Sequence, residues 1–300
     1  MCEAQDLTRA LGGEWRGTSG LAPCPCCQPE GRRDQRALAV AEKGGKLLIK
    51  CHKSGCDAFA ELRRRGLLGS RGDHPREDPA AAAKRKAEDA QREARRRKTA
   101  LDLFAAGVAI AGTPAERYLT EVRGLAGLRL NKLMPCLRFH PACHHGASGK
   151  TMPAMLALIR GPDGLPQGVH RTWLQPDGSG KTTESPAKAM LGPASGGAVR
   201  FGPDRPVIAL AEGLETALSV GLASRLTVWA CLSTSGMKGL LLPPLPVASV
   251  VVIAADNDAA GLEAARVTAA RLEAEGRAVS VVHPQREGAD FNDLLREGAR

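Results

Sequence analysis

Residues 206–220, PVIALAEGLETALSV, and residues 249–261, SVVVIAADNDAAG, decide the fold of this chain. Each is a short apolar run that finishes on acidic residues and leads into a helix-like segment. Glu212 closes the first run, and Asp256 and Asp258 close the second. An open α/β sheet places its active site at the carboxyl ends of neighbouring parallel strands. Three carboxylates converging on one spot repel each other unless a cation lies between them, and oxygen-only ligation suits Mg2+ or Mn2+. The pattern predicts a metal-dependent phosphoryl-transfer site.

The surrounding residues extend this reading over 206–300. Strands PVIALA, TVWACL, SVVVIAA and AVSVVH alternate with helices ETALSVGLA, AGLEAARVTAARLEAEG and FNDLLREG. Such alternation means a parallel sheet. Asp290, Asn292 and Asp293 follow the fourth strand. An i, i+2 spacing on extended backbone sends Asp256 and Asp258 to one side. Helix N-capping is the competing explanation, because Asp and Asn are favoured there. It accounts for Asp258 or Asp290 alone, but not for Glu212 ending one strand and two aspartates ending another.

Upstream, TPAERYLTEVRGL carries helix-start chemistry: Thr113 at the N-cap, Pro114 at N1, Glu116 at N3. Residues 129–181 alternate short strands with Gly/Pro/Asp turns, and MLALIR and GVHRTWL read as hairpin strands around GPDGLPQ. Cys136, His140, Cys143, His144 and His145 lie close in sequence but fit no common zinc spacing. GSGKT at 178–182 and SGKT at 148–151 resemble phosphate-binding loops. The Walker pattern needs a Gly where this chain has Gln175 and His144, so a nucleotide-hydrolysing motor is not supported. Arg171, Lys181, Lys188 and Arg200 are candidate contacts for nucleotide or template, against the alternative of ordinary surface cations.

The N-terminal part is a separate module. After the short helix DLTRALGG, Cys24 and Cys27 form a C-x2-C pair and Cys51 and Cys56 a C-x4-C pair. ALAVAE and KLLIK between them, joined at Gly44-Gly45, make a β-hairpin pattern. Two knuckles joined by a hairpin describe a zinc ribbon with four thiolates around a structural Zn2+, Cys26 or His52 being alternative ligands. Arg32, Arg33, Arg36, Lys43, Lys46, Lys50 and Lys53 make it basic. SRGDHPREDP then reads as a linker. AAAAKRKAEDAQREARRRKTALDLFAAG reads as one long exposed helix, either facing nucleic acid or serving as a solvated spacer. The predicted organisation is 1–69 zinc ribbon, 70–112 charged helical linker, 113–205 mixed α+β subdomain, 206–300 parallel α/β domain.

Composition agrees with this. A net charge of +10 and a pI near 9.4 favour an acidic partner such as nucleic acid. Aromatics are only 3%, so the core is built from Ala, Val and Leu. The cysteine total of 9 is odd, and the N-terminus lacks a signal-peptide pattern. Both point to a reducing cytoplasm and to metal rather than disulfides. The longest apolar run, LLLPPLPVASVVVIAA, is broken by Pro243, Pro244 and Pro246, so no membrane partner is expected.

At EGLETALS, ADNDAAG and ADFNDLL the sequence resembles the Toprim family, a domain shared by bacterial-type primases, topoisomerases, overcoming-lysogenization-defect-type nucleases and recombination proteins. CPCC…CHKSGC resembles the zinc-binding domain of phage-type primases, with one extra residue in the second knuckle. PAERYLTEVRGL…GVHRTWLQPDGSGK…AMLG resembles the region that precedes Toprim in phage and plasmid primases.

The resemblance implies a DNA primase that makes short RNA primers on single-stranded DNA from ribonucleoside triphosphates. It makes Glu212 the catalytic acid or a metal ligand, Asp256 and Asp258 the ligands of Mg2+ or Mn2+, and Asp290 and Asp293 accessory ligands. It also implies zinc-ribbon template selection and a replicative helicase acting in trans. A type IA topoisomerase would need a tyrosine nucleophile, and Tyr118 is the sole tyrosine, in a helix far from the acids in sequence. A Toprim nuclease would use the same acids with water. A non-catalytic zinc/Toprim DNA-binding adaptor is the alternative from another class, although such proteins tend to have degraded acids.

Overall fold

The computed structural model describes residues 3–30, 36–44, 46–53, 55–68, 79–129 and 135–298. It divides into two compact units, Met1–Lys84 and Arg85–Arg300. Arg32, Arg33, Gly45 and residues 70–78 of the predicted linker fall outside the described residues.

In the first unit, α1 (Glu3–Ala10) packs on a four-stranded antiparallel sheet of β1 (Glu14–Arg16), β2 (Ser19–Ala22), β3 (Leu38–Lys43) and β4 (Lys46–Cys51), followed by α2 (Ala58–Arg64). The hairpin β3–β4 runs in register from Leu38↔Cys51 to Lys43↔Lys46. Asp57 caps α2 by accepting from the Ala60 N–H at 3.1 Å. Ala4, Leu7, Leu38, Val40, Leu47 and Leu62 form the small core.

The second unit contains most of α3 (Pro79–Ala106). Ala100 and Phe104 near its C-terminal end are buried, while its stretch from residue 83 to 99 is almost wholly exposed. Next come α4 (Pro114–Arg117) and one π-helical turn, Tyr118–Val122. Thr113 caps α4 as its sequence predicts, accepting from the Ala115 N–H at 3.3 Å. Glu116 reaches past the cap to the Gly112 N–H. An antiparallel sheet of β5 (Leu137–His144), β6 (Thr151–Arg160), β7 (Pro166–Trp173) and β8 (Lys188–Leu191) follows.

The C-terminal sheet has the order β13-β12-β10-β11-β9. Its members are β9 (Val199–Phe201), β10 (Val207–Ala211), β11 (Thr227–Ala230), β12 (Val250–Ala254) and β13 (Ala278–Val282). The last four are parallel to one another, and β9 runs antiparallel along the edge. Helices α5 (Leu214–Ser224), α6 (Thr234–Gly239), α7 (Ala259–Ala274) and α8 (Phe291–Gly298) complete the alternation.

The apolar runs are unbroken because both faces of the sheet are covered. On one face Ala209 and Ala211 join Tyr118, Leu119, Phe139, Met155, Ile159, Leu214 and Leu218 in one core. Residues 113–205 and 206–300 therefore share this core. On the other face Ile208, Leu210, Trp229 and Ile253 pack with Met237, Leu240 and Leu272. The chain reverses its direction of travel across the sheet at β10, which pairs with β11 on one side and β12 on the other. Such a switch point opens a crevice at the carboxyl ends of the strands.

Candidate functional site

Glu212 and Asp256 emerge at that switch point. Ala211 and Ala254 are directly paired, so the residues just after them leave the sheet side by side. Gly213 begins α5 after Glu212. Beyond β11, Leu232 is held in the left-handed region (φ 71°), and its N–H donates to the Glu212 carbonyl at 2.7 Å. A non-glycine residue in that conformation stores strain, which clusters at functional sites.

The acids differ in what holds them. Asp258 Oδ1 accepts from the Gly261 N–H at 2.7 Å and caps α7. Asp290 and Asp293 cap the start of α8 reciprocally: the Asp293 N–H donates to Asp290 Oδ1 at 2.8 Å, and the Asp290 N–H to Asp293 Oδ2 at 3.3 Å. Thr216 also donates to Asp290 Oδ2 at 3.4 Å. Capping and clustering of acids, opposed as explanations at the sequence level, occur together here. Asp256 is different, because its Oδ1 is buried with no hydrogen-bond partner.

Burial, followed by repulsion from Asp290, Glu212, Asp258 and Asp293, lifts the Asp256 carboxyl to about 7. Burial and the charge of Asp258 also raise Glu212, opposed by Lys188 and the Thr234 backbone. The structure thus brings all five predicted acids into one electrostatic field. It does not bring them into a closed ligand shell. Among the described residues, the sole group of three or more His, Cys, Asp or Glu with all ligand atoms within 4.8 Å is Cys24, Cys27, Cys51 and Cys56. A divalent cation still fits the acidic site on chemical grounds. It would give the orphaned Asp256 Oδ1 a partner and neutralise the repulsion, using hard oxygen donors.

The thiols meet a stricter geometric test. The Sγ atoms of Cys24 and Cys56 are 3.3 Å apart and those of Cys27 and Cys51 3.6 Å. Gln28 accepts from the backbone N–H groups of Cys24 and Ala37, both at 3.0 Å, and so ties the first knuckle to the start of the hairpin. The alternatives Cys26 and His52 are outside the group. Cys26 Sγ instead faces the Asp57 carbonyl. The four cysteines are positioned for a zinc site.

The predicted cations separate by environment. Lys188 is exposed and its charge acts on Glu212. Lys181 pairs with Glu215 at 2.7 Å. Arg171 donates to the His144 carbonyl at 3.3 Å and lies over the Trp173 ring. Arg200 is buried, with its guanidinium on Asp204, on the Gly161 carbonyl and 3.9 Å above the Trp229 ring. Cys136 and Cys143 are packed into hydrophobic clusters, and His145 bonds Ser148 and the Pro186 carbonyl. That histidine- and cysteine-rich stretch assembles no metal group among the described residues.

Sequence reasoning missed Glu215. It is 7% exposed, yet charged: burial pushes its carboxyl up, but Lys181 and the Tyr118 hydroxyl outweigh burial and hold it at about 2. The available signal was one acid inside the otherwise uncharged helix LETALSVGLA. Tyr118 donates to Glu215 Oε1 at 2.6 Å and accepts from Arg123 Nε at 2.9 Å. Its phenol is 1% exposed and pushed up, first by burial and then by Glu215, which makes it a poor nucleophile.

Residues 207–300 match the Toprim domain family, and residues 94–201 match a family described as a domain of unknown function, DUF7146. No curated protein matches the chain. One similar solved structure is the Aquifex aeolicus primase (zinc-binding and RNA polymerase domains), at 15% identity over 99% of this chain and 80% of that one, TM-score 0.46. The RNA polymerase domain of Mycobacterium tuberculosis primase DnaG is 18% identical over 68% and 82%, TM-score 0.42. The primase fragment of the bacteriophage T7 primase-helicase protein is 15% identical over 57% and 67%, TM-score 0.40. Residues 207–300 form a Toprim domain. Among the described residues, no helix is long and apolar enough to cross a membrane.

Proposed function

We propose that the chain is a DNA primase of the phage or plasmid type, which synthesises short RNA primers on single-stranded DNA by metal-dependent nucleotidyl transfer. The observation that carries this reading is the partnerless Asp256 Oδ1, buried amid four further acids of a Toprim domain. Glu212, Asp256 and Asp258 would hold Mg2+ or Mn2+, with Asp290 and Asp293 as accessory ligands. When bound, the ion supplies charge neutralisation for nucleotide phosphates.

The chain's own residues supply the rest. Asp256 must release its proton to ligate, which ties metal uptake to pH. Lys188, exposed beside Glu212, is the proposed triphosphate contact, whereas Arg171, Lys181 and Arg200 already have partners within the fold. Residues 1–69 would bind template through the exposed Lys43, Lys46, Lys50 and Lys53. One Zn2+ on the four thiolates would hold that module folded. Residues 70–112 would tether it to the catalytic part, 113–300, and a replicative helicase would act in trans in the cytoplasm.

The test is primer synthesis on single-stranded DNA with all four ribonucleotides and Mg2+ or Mn2+, beside Asp256→Ala. Short RNA that vanishes in the variant supports the reading. Retained DNA binding without products means a non-catalytic adaptor, and degradation of the template means a nuclease.

A further inference from the structure

Glu215 lies one residue into α5, three positions after Glu212. It pairs with Lys181 at 2.7 Å and receives the Tyr118 hydroxyl at 2.6 Å. Lys181 comes from the turn between β7 and β8, and Tyr118 from the π turn. One carboxylate therefore joins three segments remote in sequence.

The same node reaches the later acids. Arg123, which donates to Tyr118, also feels the charge of Asp290. Asn292, fully buried, donates to the Arg123 carbonyl at 2.7 Å and to Ser219 Oγ at 3.0 Å. Ser219 in turn donates to the Glu215 carbonyl at 2.9 Å. Thr216, next to Glu215, donates to Asp290. The start of α8 is thereby latched to α5 and to the Tyr118–Arg123 turn. Asp290 then acts electrostatically on Asp256.

We propose that Glu215 is a positioning residue for the acidic site. Ion-paired to Lys181 and hydrogen-bonded by Tyr118, it holds α5 and the start of α8 in the arrangement that spaces Glu212, Asp256 and Asp290 for a divalent cation. This rests on the proposed metal role of those acids. Glu215 touches neither substrate nor reacting atoms. Its effect runs through helix placement and through Arg123, whose charge offsets Asp290. Residues that orient ligands from behind typically cost about 10–100-fold in metal affinity when changed.

The experiment measures Mn2+ binding to the zinc-loaded full chain without nucleotide, by calorimetry and by electron paramagnetic resonance, with thermal melting alongside. Glu215→Gln keeps the shape and loses the charge, stranding Lys181. Expected is Mn2+ affinity at least about tenfold weaker in Glu215→Gln and in Lys181→Met. The double variant is expected to bind Mn2+ no more weakly than either single variant, because all three lack the same ion pair. Tyr118→Phe, which removes a single hydroxyl, covers the case in which Glu215→Gln fails to fold, and a weakening of about threefold is expected there.

A folded Glu215→Gln or Tyr118→Phe protein with wild-type Mn2+ affinity overturns the proposal, as do strictly additive losses in the double variant. Wild-type protein that binds no Mn2+ overturns the metal reading itself. The two failures are therefore distinguishable.

Discussion

A Cβ placed on Gly261 would lie 2.6 Å from the Asp256 backbone oxygen. No real Cβ contact is that short, and the obstacle is main chain rather than a flexible tip. The first turn of α7 thus packs directly against the residue with the orphaned carboxylate oxygen, and the Gly261 N–H is also the group that holds Asp258. Gly261→Ala must push the Asp256–Asp258 segment away from α7. Overpacking of this kind costs about 1–3 kcal/mol. The expected outcome is a melting point lowered by several degrees together with weakened Mn2+ binding. Unchanged values in both measurements would show that the turn gives way freely.

The titration of Asp256 sets a second expectation. Its folded-state value of about 7 lies above the ordinary 3.8, so between roughly pH 4 and 7 the native chain holds a proton that the unfolded chain has released. Without added divalent metal, this carboxyl therefore favours folding most below about pH 4 and progressively less as pH rises to about 7. Asp256→Asn removes that penalty. The variant should melt higher than wild type at pH 8, on the order of 2 kcal/mol more stable, and the difference should vanish towards pH 4. Mn2+ affinity of the wild type should rise with pH through the same range. Equal stability of the two proteins at pH 8 would mean that the repulsion is relieved elsewhere.

Much of this site was legible before the fold was seen, for identifiable reasons. Val207–Ala211 and Val250–Ala254 are strands covered on both faces, so they read as continuous apolar runs, and the acids sit where such runs end. The cysteine spacing needs only a hairpin to close, and Leu38–Cys51 supplies it. What escaped was either short or long-range. Val199–Phe201 has three residues and no room for a period. Thr234–Gly239, TSGMKG, starts on the Ser233 cap and shows no helical stripe. The Tyr118–Glu215 bond spans 97 positions and leaves no local trace. Arg200 illustrates the limit of charge counting, because a buried arginine and a phosphate-binding one look alike in sequence.

That arginine yields a prediction that separates structure from substrate contact. Its guanidinium is spent on Asp204, the Gly161 carbonyl and the Trp229 ring. Arg200→Met would leave the Gly161 carbonyl without this donor at a cost of about 2–4 kcal/mol. The melting point should fall clearly, while the KM for ribonucleotides below that melting point stays as in wild type. Lys188→Met should do the reverse, raising KM with little change in melting. A raised KM in Arg200→Met would place it among the substrate contacts instead.

The N-terminal unit should stand or fall with its metal. Its core is small: Ala4, Leu7, Leu38, Val40, Leu47 and Leu62 are its principal apolar side chains. A module with so little apolar burial draws its stability from metal ligation. Burial pushes the Cys24 thiol well above its usual value, so without metal it is a neutral, hydrophobically packed group, and zinc uptake must expel protons. Elemental analysis should find about one zinc per chain in wild type and none in Cys27→Ala. Hydrogen exchange should then show residues 38–51 losing protection while residues 207–254 keep theirs, since the Toprim sheet has its own core. Zinc retained in Cys27→Ala would bring Cys26 or His52 back as a ligand. Protection retained without zinc would mean that the ribbon folds on packing alone.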